Sequence, residues 1–297
     1  MNEPVDLVSG FVRLRVDFGY DGTDFNGWAK QPGLRTVEGS ILDALTLVFG
    51  PGEASFGLVV AGRTDAGVHA RNSVLHLDLT QQQIKRLGRY SSPSMFEVAI
   101  RDRLNNILDD DIRIYTVAAA PEGFDARFAA IHRRYRYRIA DAVSVKDPVE
   151  ARHTLWTRKP LDLLEMQAAA LELYGLNDFA AFCKPRPFAT TIRNLREVIV
   201  RRRTDENQVI EIELLADAFC HNMVRSIVGA LIAVGEGRAD RQAIAARLAS
   251  GSRVGSFKVV SPRGLTLIEI GYPAPELMAQ QVENAKALRS MDDEVED

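Results

Sequence analysis

Gly62-Arg63-Thr64-Asp65-Ala66-Gly67-Val68-His69 sets one carboxylate two residues from one guanidinium, with a glycine on either side. The apolar run Leu58-Val59-Val60-Ala61 leads in. Ser73-Val74-Leu75-His76-Leu77-Asp78-Leu79 leads out with apolar and polar residues alternating, so the pattern predicts strand, turn, strand. Glycines in such a turn permit positive φ and the close approach of another molecule. A lone carboxylate beside an arginine, on a loop held between strands, suits carboxylate chemistry on an anionic substrate. The same residues also fit a tight hairpin whose aspartate caps its own backbone.

The elements around this turn have to position it. Val12, Leu14, Val16 and Phe18 alternate with Arg13, Arg15 and Asp17, which predicts a first strand. Thr36 reads as the N-cap of a helix with Val37, Ile41, Ala44, Leu45 and Val48 on one face. After a polar stretch, 94–108 reads as helix and 112–117 as strand, giving a β-α-β-β-α-β half. A second half repeats the order loosely. It has a strand over 134–140, a strongly amphipathic helix over 161–174 and a hairpin of 194–203 with 209–215. Helices over 222–234 and 240–248 follow, and 265–270 closes as a strand. The fold class expected is α+β. Its expected divisions are 11–118 with the aspartate turn, 119–275, and an acidic tail over 276–297.

Composition is that of an ordinary globular chain: 297 residues, 46% hydrophobic and 26% charged. The first ten residues hold acids and no apolar run, so a signal peptide is not expected. No stretch approaches the length of a membrane span. Cys183 and Cys220 are the two cysteines and show neither metal-ligand spacing nor a disulfide framework, which suits a reducing cytosol. Scattered histidines suggest no metal site. Residues 291–297 carry five acids and no base, so without them the net charge moves from −3 to +2. Arginines cluster at Arg133, Arg134, Arg136 and Arg138, and again at Arg201, Arg202 and Arg203. Such clusters fit a surface that tracks phosphates, and equally the solvated faces of strands.

The octapeptide Gly62–His69 resembles the signature of the tRNA pseudouridine synthase A (TruA) family. Further segments resemble the family's other blocks in the same order: Tyr20-Asp21-Gly22 with Phe25-Asn26-Gly27-Trp28 and Gln31, then Phe124–Phe128 and Arg133–Tyr137. Phe219-Cys220-His221-Asn222-Met223-Val224-Arg225, with Gly229 one helical turn on, resembles the next, and Gly264–Leu267 the last. The resemblance runs from about residue 11 to 272. It departs after the turn, where relatives tend to have Gly-Gln and this chain has Arg71-Asn72-Ser73, and Cys183–Phe188 is a proline-rich connection with no assigned role.

The resemblance implies two ferredoxin-like-derived halves with joined sheets, helices packed on one face and an active-site cleft between the halves. It implies isomerisation of uridine to pseudouridine at positions 38, 39 and 40 of the tRNA anticodon stem-loop, by a cytoplasmic homodimer. That reaction breaks the ribose C1′–N1 bond, turns the base and joins C5 to C1′. It oxidises nothing and transfers no group, so no cofactor is implied.

Asp65 matches the catalytic aspartate, which could attack the ribose carbon or abstract a sugar proton. Either role needs it ionised in a water-poor site, which calls for a nearby cation. Arg225 matches the family's basic partner; its other reading is a helix-surface arginine. Tyr135 matches the tyrosine that stacks on the extruded base, although one of Tyr135 and Tyr137, which share a strand face, must be core. Leu265 would wall the uracil pocket or simply pack. Arg63 would help extrude the nucleotide, or serve as a second ion-pair partner. Arg127, Arg133 and Arg134 are assigned to RNA backbone contact. Phe25 and Trp28 are read as packing, and His69 and His221 as hydrogen-bonded structural histidines. The rival readings are a non-catalytic tRNA-binding protein, a relative acting at other RNA positions, and a carboxylate glycosidase. The last would want a second positioned carboxylate.

Overall fold

The computed structural model describes residues 10–50, 56–88, 93–186, 189–253 and 257–286. They divide into two compact units: the chain up to Ala130 together with Tyr272–Ala285, and Ile131–Gly271.

In the first unit the alternating segment forms β1 (Phe11–Tyr20), with Leu14, Val16 and Phe18 buried and the charged residues on its other face. α1 (Val37–Phe49) starts where Thr36 accepts the Gly39 N–H, and buries Val37, Ile41, Ala44, Leu45 and Phe49. β2 is short (Val59–Val60), and β3 (His69–Thr80) runs antiparallel to β1, setting Leu14 opposite Leu77 and Val16 opposite Leu75. α2 (Gln81–Arg86) lies in the stretch read as merely polar. Thr80 and Gln83 form a reciprocal capping box at its start. α3 (Pro93–Asn105) and β4 (Ile112–Ala119) complete the unit. The strand order β4-β1-β3-β2 is that of a β-α-β-β-α-β ferredoxin-like unit.

Residues 119–130 belong with this first unit, beyond the boundary expected at 118. Phe124 is buried, and its carbonyl accepts from Arg13 at 2.9 Å. Ala126 donates its N–H to His76 Nδ1 at 2.9 Å, and its carbonyl accepts the Tyr272 hydroxyl at 2.7 Å. Burial pushes the His76 pKa down, Arg13 adding to the effect, which keeps the ring a neutral acceptor.

The second unit opens with β5 (His132–Ala140), joined in parallel by the short β6 (Leu155–Trp156). α4 (Leu163–Leu171) is shorter than expected, because Asp162 caps it by accepting the Leu164 and Glu165 N–H groups. Leu164 and Leu171 stand exposed, so the apolar periodicity that suggested a longer amphipathic helix is only partly used for packing. β7 (Gly175–Asp178), β8 (Ile192–Arg202) and β9 (Ile210–Ala216) follow, then α5 (Met223–Gly235), α6 (Arg241–Ser250) and β10 (Leu265–Gly271). The order β10-β5-β9-β8, with β7 outside β8, repeats that of the first unit. Antiparallel strands, with β6 running parallel to β5, interleaved with helices, make the chain α+β.

The chain then returns to the first unit as α7 (Met278–Lys286), with Met278 buried. This helix lies within the stretch expected as an acidic tail; residues 287–297 of that tail lie outside the described residues. Among the described residues, no helix is long and apolar enough to cross a membrane.

The two faces of the second unit's sheet differ chemically. On one, Tyr137, Ile212, Leu214 and Val200 are buried, with α4 packed on β8 and on α5. On the other, Arg134, Arg136 and Arg138 of β5 stand opposite Leu215, Glu213 and Glu211 of β9. Arg136 binds Glu213 at 2.9 Å, and Arg201 reaches both Glu211 and Glu213 at 2.9 Å. Arg138 pairs with Glu150, and Arg203 with Asp205. Of the arginines read as a phosphate-tracking surface, Arg134, Arg136 and Arg201 are held in cross-strand ion pairs.

Candidate active site

Two sequence blocks some forty residues apart build the aspartate turn. Trp28 donates its N–H to the Thr64 carbonyl at 3.1 Å, and Gly67 donates to the Phe25 carbonyl at 3.3 Å. The Tyr20 hydroxyl meets Thr64 Oγ1 at 2.7 Å in a buried pair. His69, 2% exposed, accepts the Gly22 N–H on Nδ1 at 3.0 Å, as expected of a structural histidine. Phe25 and Trp28 are buried, so they pack as read, with the Arg35 guanidinium over the Phe25 ring at 4.1 Å. Arg71, Asn72 and Ser73, where the sequence departs from the family pattern, lie inside β3.

Within the turn, Val68 donates its N–H to the Asp65 carbonyl at 3.2 Å, so the segment folds back on itself and leaves Asp65 half-buried and Arg63 exposed. Gly22 packs so closely on the turn that a Cβ there would overlap the Val68 carbonyl. Gly22→Ala is therefore expected to cost about 2–3 kcal/mol of stability, or to displace the turn and lose most activity. Thermal unfolding and turnover measured on one preparation check this. A variant matching the parent in both would remove Gly22 from the clamp.

The second unit gathers Tyr135, Tyr137, Leu265 and Arg225. Tyr137 is fully buried and donates its hydroxyl to the Ser261 carbonyl at 2.7 Å. Burial pushes its phenol pKa up, with Arg225 pulling the other way. Tyr137 is thus the core member of the tyrosine pair. Tyr135 keeps 9% exposure, sits opposite Leu267 and Leu214, and meets the Phe219 ring edge-to-face at 5.2 Å. Leu265 is buried opposite Tyr137.

Arg225, in the first turn of α5, donates Nε to the Val260 carbonyl at 2.8 Å, and its own carbonyl accepts the Val260 N–H at 3.3 Å. Gly229, one turn on, leaves no room for a Cβ against the Lys258 carbonyl. That is the physical use of the glycine the sequence places there. Arg225 is therefore pinned by the segment entering β10 rather than loose on a helix surface.

The three arginines assigned to RNA backbone differ in setting. Arg127 is exposed, with its guanidinium 5.2 Å from the Phe128 ring centre. Arg133 donates to the Asp217 carbonyl at 2.7 Å. Arg134 binds Glu197 at 2.6 Å and Glu269 at 3.3 Å. A bulge after Leu267 turns Glu269 toward Arg134 and His132. The hydrogen bond with His132, and then Arg134, hold the Glu269 carboxyl below its usual range.

Sequence reasoning missed Phe219 as the ring that orients Tyr135, and Val260 and Ser261 as acceptors for Arg225 and Tyr137. Phe219 stood inside a quoted block, whereas the acceptors are backbone carbonyls that no residue type signals. The cysteines need correction: Cys183 and Cys220 are joined, their Cα atoms 5.7 Å apart. A separation of 37 residues carries no motif. Pairing of β7 with β8 and of β8 with β9 brings the ends of β7 and β9 together. Of Cys183–Phe188, residues 187 and 188 lie outside the described residues.

A family model described as tRNA pseudouridine synthase matches residues 169–273, from α4 to β10. The chain is 47% identical to tRNA pseudouridine synthase A of Streptomyces avermitilis, over 96% of this chain and 97% of the relative. It is also 47% identical to tRNA pseudouridine synthase A of Frankia casuarinae, over 95% and 97%. For the protein of that name from Cutibacterium acnes the identity is 43%, over 95% and 96%.

Proposed function

From a chain that belongs to the tRNA pseudouridine synthase A family, and is an isomerase forming pseudouridine in tRNA, we infer that the uridines converted are those at positions 38, 39 and 40 of the anticodon stem-loop. The positions rest on the resemblance of the sequence, and the observation that carries the chemistry is the clamped turn. Asp65 sits half-buried between Arg63 and Gly67, on a loop tied to Phe25 and Trp28 by backbone hydrogen bonds. A carboxylate fixed in this way can meet an anomeric carbon or a sugar proton without a reorganisation cost.

In this reading Asp65 is the catalytic group. Tyr135 offers its ring to the extruded base, which recovers part of the unstacking energy. Leu265 and Arg225 complete the substrate contacts in the second unit. Arg63 holds the nucleotide's phosphate, and Arg127, Arg133 and Arg134 follow the RNA backbone. Conversion at three neighbouring positions implies that tRNA shape is recognised, not base sequence. The proposal includes a cytoplasmic homodimer in which one tRNA contacts both subunits. The net isomerisation needs no redox or group-transfer cofactor.

The test is to incubate purified protein with an unmodified tRNA transcript, without added cofactor, and to map pseudouridine at nucleotide resolution. Signal at 38–40 is expected. Signal at other positions would keep the chemistry and replace the target. Tight binding without any signal would favour the non-catalytic reading.

Tyrosine variants separate ring from hydroxyl. Tyr135→Leu is expected to lose ~1–3 kcal/mol in kcat/KM, the value of one stacked base. Tyr135→Phe keeps the ring and should stay within about ten-fold of the parent if stacking is the whole role. A deeper loss in the phenylalanine variant would assign the hydroxyl to proton removal at C5.

A further inference from the structure

Cys183 and Cys220 are the chain's two cysteines, and they are joined in the second unit. Their surroundings are unequal. Cys183 is fully buried at the end of the short helical turn Ala180–Phe182, whereas Cys220 is partly exposed. The bridge lies beside the candidate site: Cys220 follows Phe219, whose ring meets Tyr135, and its carbonyl accepts the Met223 N–H at the start of α5. Next to it, Lys184 donates its N–H to the His221 carbonyl at 2.8 Å.

We propose that this pair is a reversible thiol–disulfide exchange site, oxidised by a low-molecular-weight disulfide and reduced by a low-molecular-weight thiol, whose state sets how firmly the segment from Phe219 to Arg225 is held. In the oxidising direction the accessible Cys220 thiolate attacks the small disulfide. A bond forms between Cys220 and one of its sulfurs while the other leaves as a thiolate. The Cys183 thiolate then attacks the Cys220 sulfur, and the second small thiolate leaves. Two electrons pass from the protein sulfurs to the small disulfide, and the protein's two thiol protons end on the two released thiols. Excess small thiol runs both steps backward.

The exposure difference gives the order, since only Cys220 can be met by a reagent and only Cys183 is placed to resolve the mixed disulfide. The bridge closes a loop across 37 residues of sequence separation, so it also restricts the unfolded chain. The effect on turnover rests on the roles given above to Tyr135 and Arg225; the exchange itself does not.

The experiment equilibrates the full chain with glutathione at graded ratios of its reduced and oxidised forms. Free thiols are then alkylated, and intact mass and amide hydrogen exchange are read. A single two-electron transition is expected, with exchange across 217–225 at least about ten-fold faster in the reduced form. Cys183→Ser should accumulate a glutathione adduct on Cys220, while Cys220→Ser should leave Cys183 unmodified. KM for tRNA should rise several-fold on reduction, and lose that response in either variant. Alkylation of both thiols at every ratio, or identical amide exchange in the two states, would overturn the proposal. A protein inactive on tRNA that still shows the transition and the amide response would support the exchange site and remove the functional reading instead.

Discussion

Asp65→Asn is expected to lower turnover on tRNA at least ~10³-fold while tRNA affinity stays within a few-fold of the parent. Asparagine keeps the shape of the side chain and removes only its charge and basicity. The backbone bonds of the turn do not involve the carboxylate: Val68 to the Asp65 carbonyl, Trp28 to the Thr64 carbonyl and Gly67 to the Phe25 carbonyl all survive the change. The Tyr20–Thr64 hydroxyl pair survives as well. The folded turn should therefore persist, and thermal unfolding should move by less than about 1 kcal/mol. Single-turnover kinetics on unmodified tRNA, paired with a binding isotherm at the same salt, separates the two quantities. Activity above a tenth of the parent's would remove Asp65 from the chemistry. A parallel collapse in affinity would mean that it holds RNA rather than transforms it.

Asp141→Asn is expected to cost about 3–5 kcal/mol of stability. Asp141 is completely buried just beyond β5. Oδ2 accepts the Leu161 N–H at 3.0 Å and Arg202 Nη2 at 2.9 Å. Oδ1 accepts from Ser144 Oγ and from Arg202 Nη1, both at 3.0 Å. An amide here turns two donors toward donors and leaves Arg202, itself mostly buried, without its counter-charge.

The same group contributes to acid sensitivity. Burial alone would raise the Asp141 pKa, but the Arg202 fork, the Leu161 N–H and the Ser144 hydroxyl outweigh it and bring the carboxyl down to about 2. A folded-state value below the unfolded one contributes stability that is present above about pH 4. That contribution, about 2 kcal/mol, is lost as pH falls toward 2. Denaturant unfolding measured between pH 5 and 2 should show that loss in the parent and a flatter acid limb in Asp141→Asn. Equal acid limbs would mean that another carboxylate sets the acid response.

Much of the architecture was legible because its signals are local. The alternation in β1, the Thr36 cap of α1 and the polar break between β8 and β9 each act within a few residues, and each element appears where its pattern lies. α2 carries an equally local signal, the Thr80 and Gln83 capping box, but its six residues hold a single apolar side chain, Ile84, so no apolar stripe marks it. Apolar spacing overstated α4, since hydrophobic residues at helical intervals need not all be buried. The aspartate turn was legible as a turn, but nothing in its own eight residues shows that Phe25, Trp28 and Gly22 clamp it. That follows only when β1 and β3 pair. Nor could the joining of Cys183 and Cys220 be read, because it depends on three strands agreeing in register.

The arginine and glutamate ladder on the second unit's sheet changes how a polyanion meets that face. Arg134, Arg136, Arg138, Arg201 and Arg203 are set among Glu197, Glu211, Glu213, Glu269, Glu150 and Asp205. Opposite charges a few ångströms apart cancel as seen from beyond a screening length of about 8 Å. The ladder therefore projects almost no long-range field, and a strand of RNA drifting toward it is neither drawn in nor turned away. Capture speed must be set elsewhere on the molecule. On this face a phosphate gains a guanidinium only at touching distance, by taking the place of a carboxylate that already holds it.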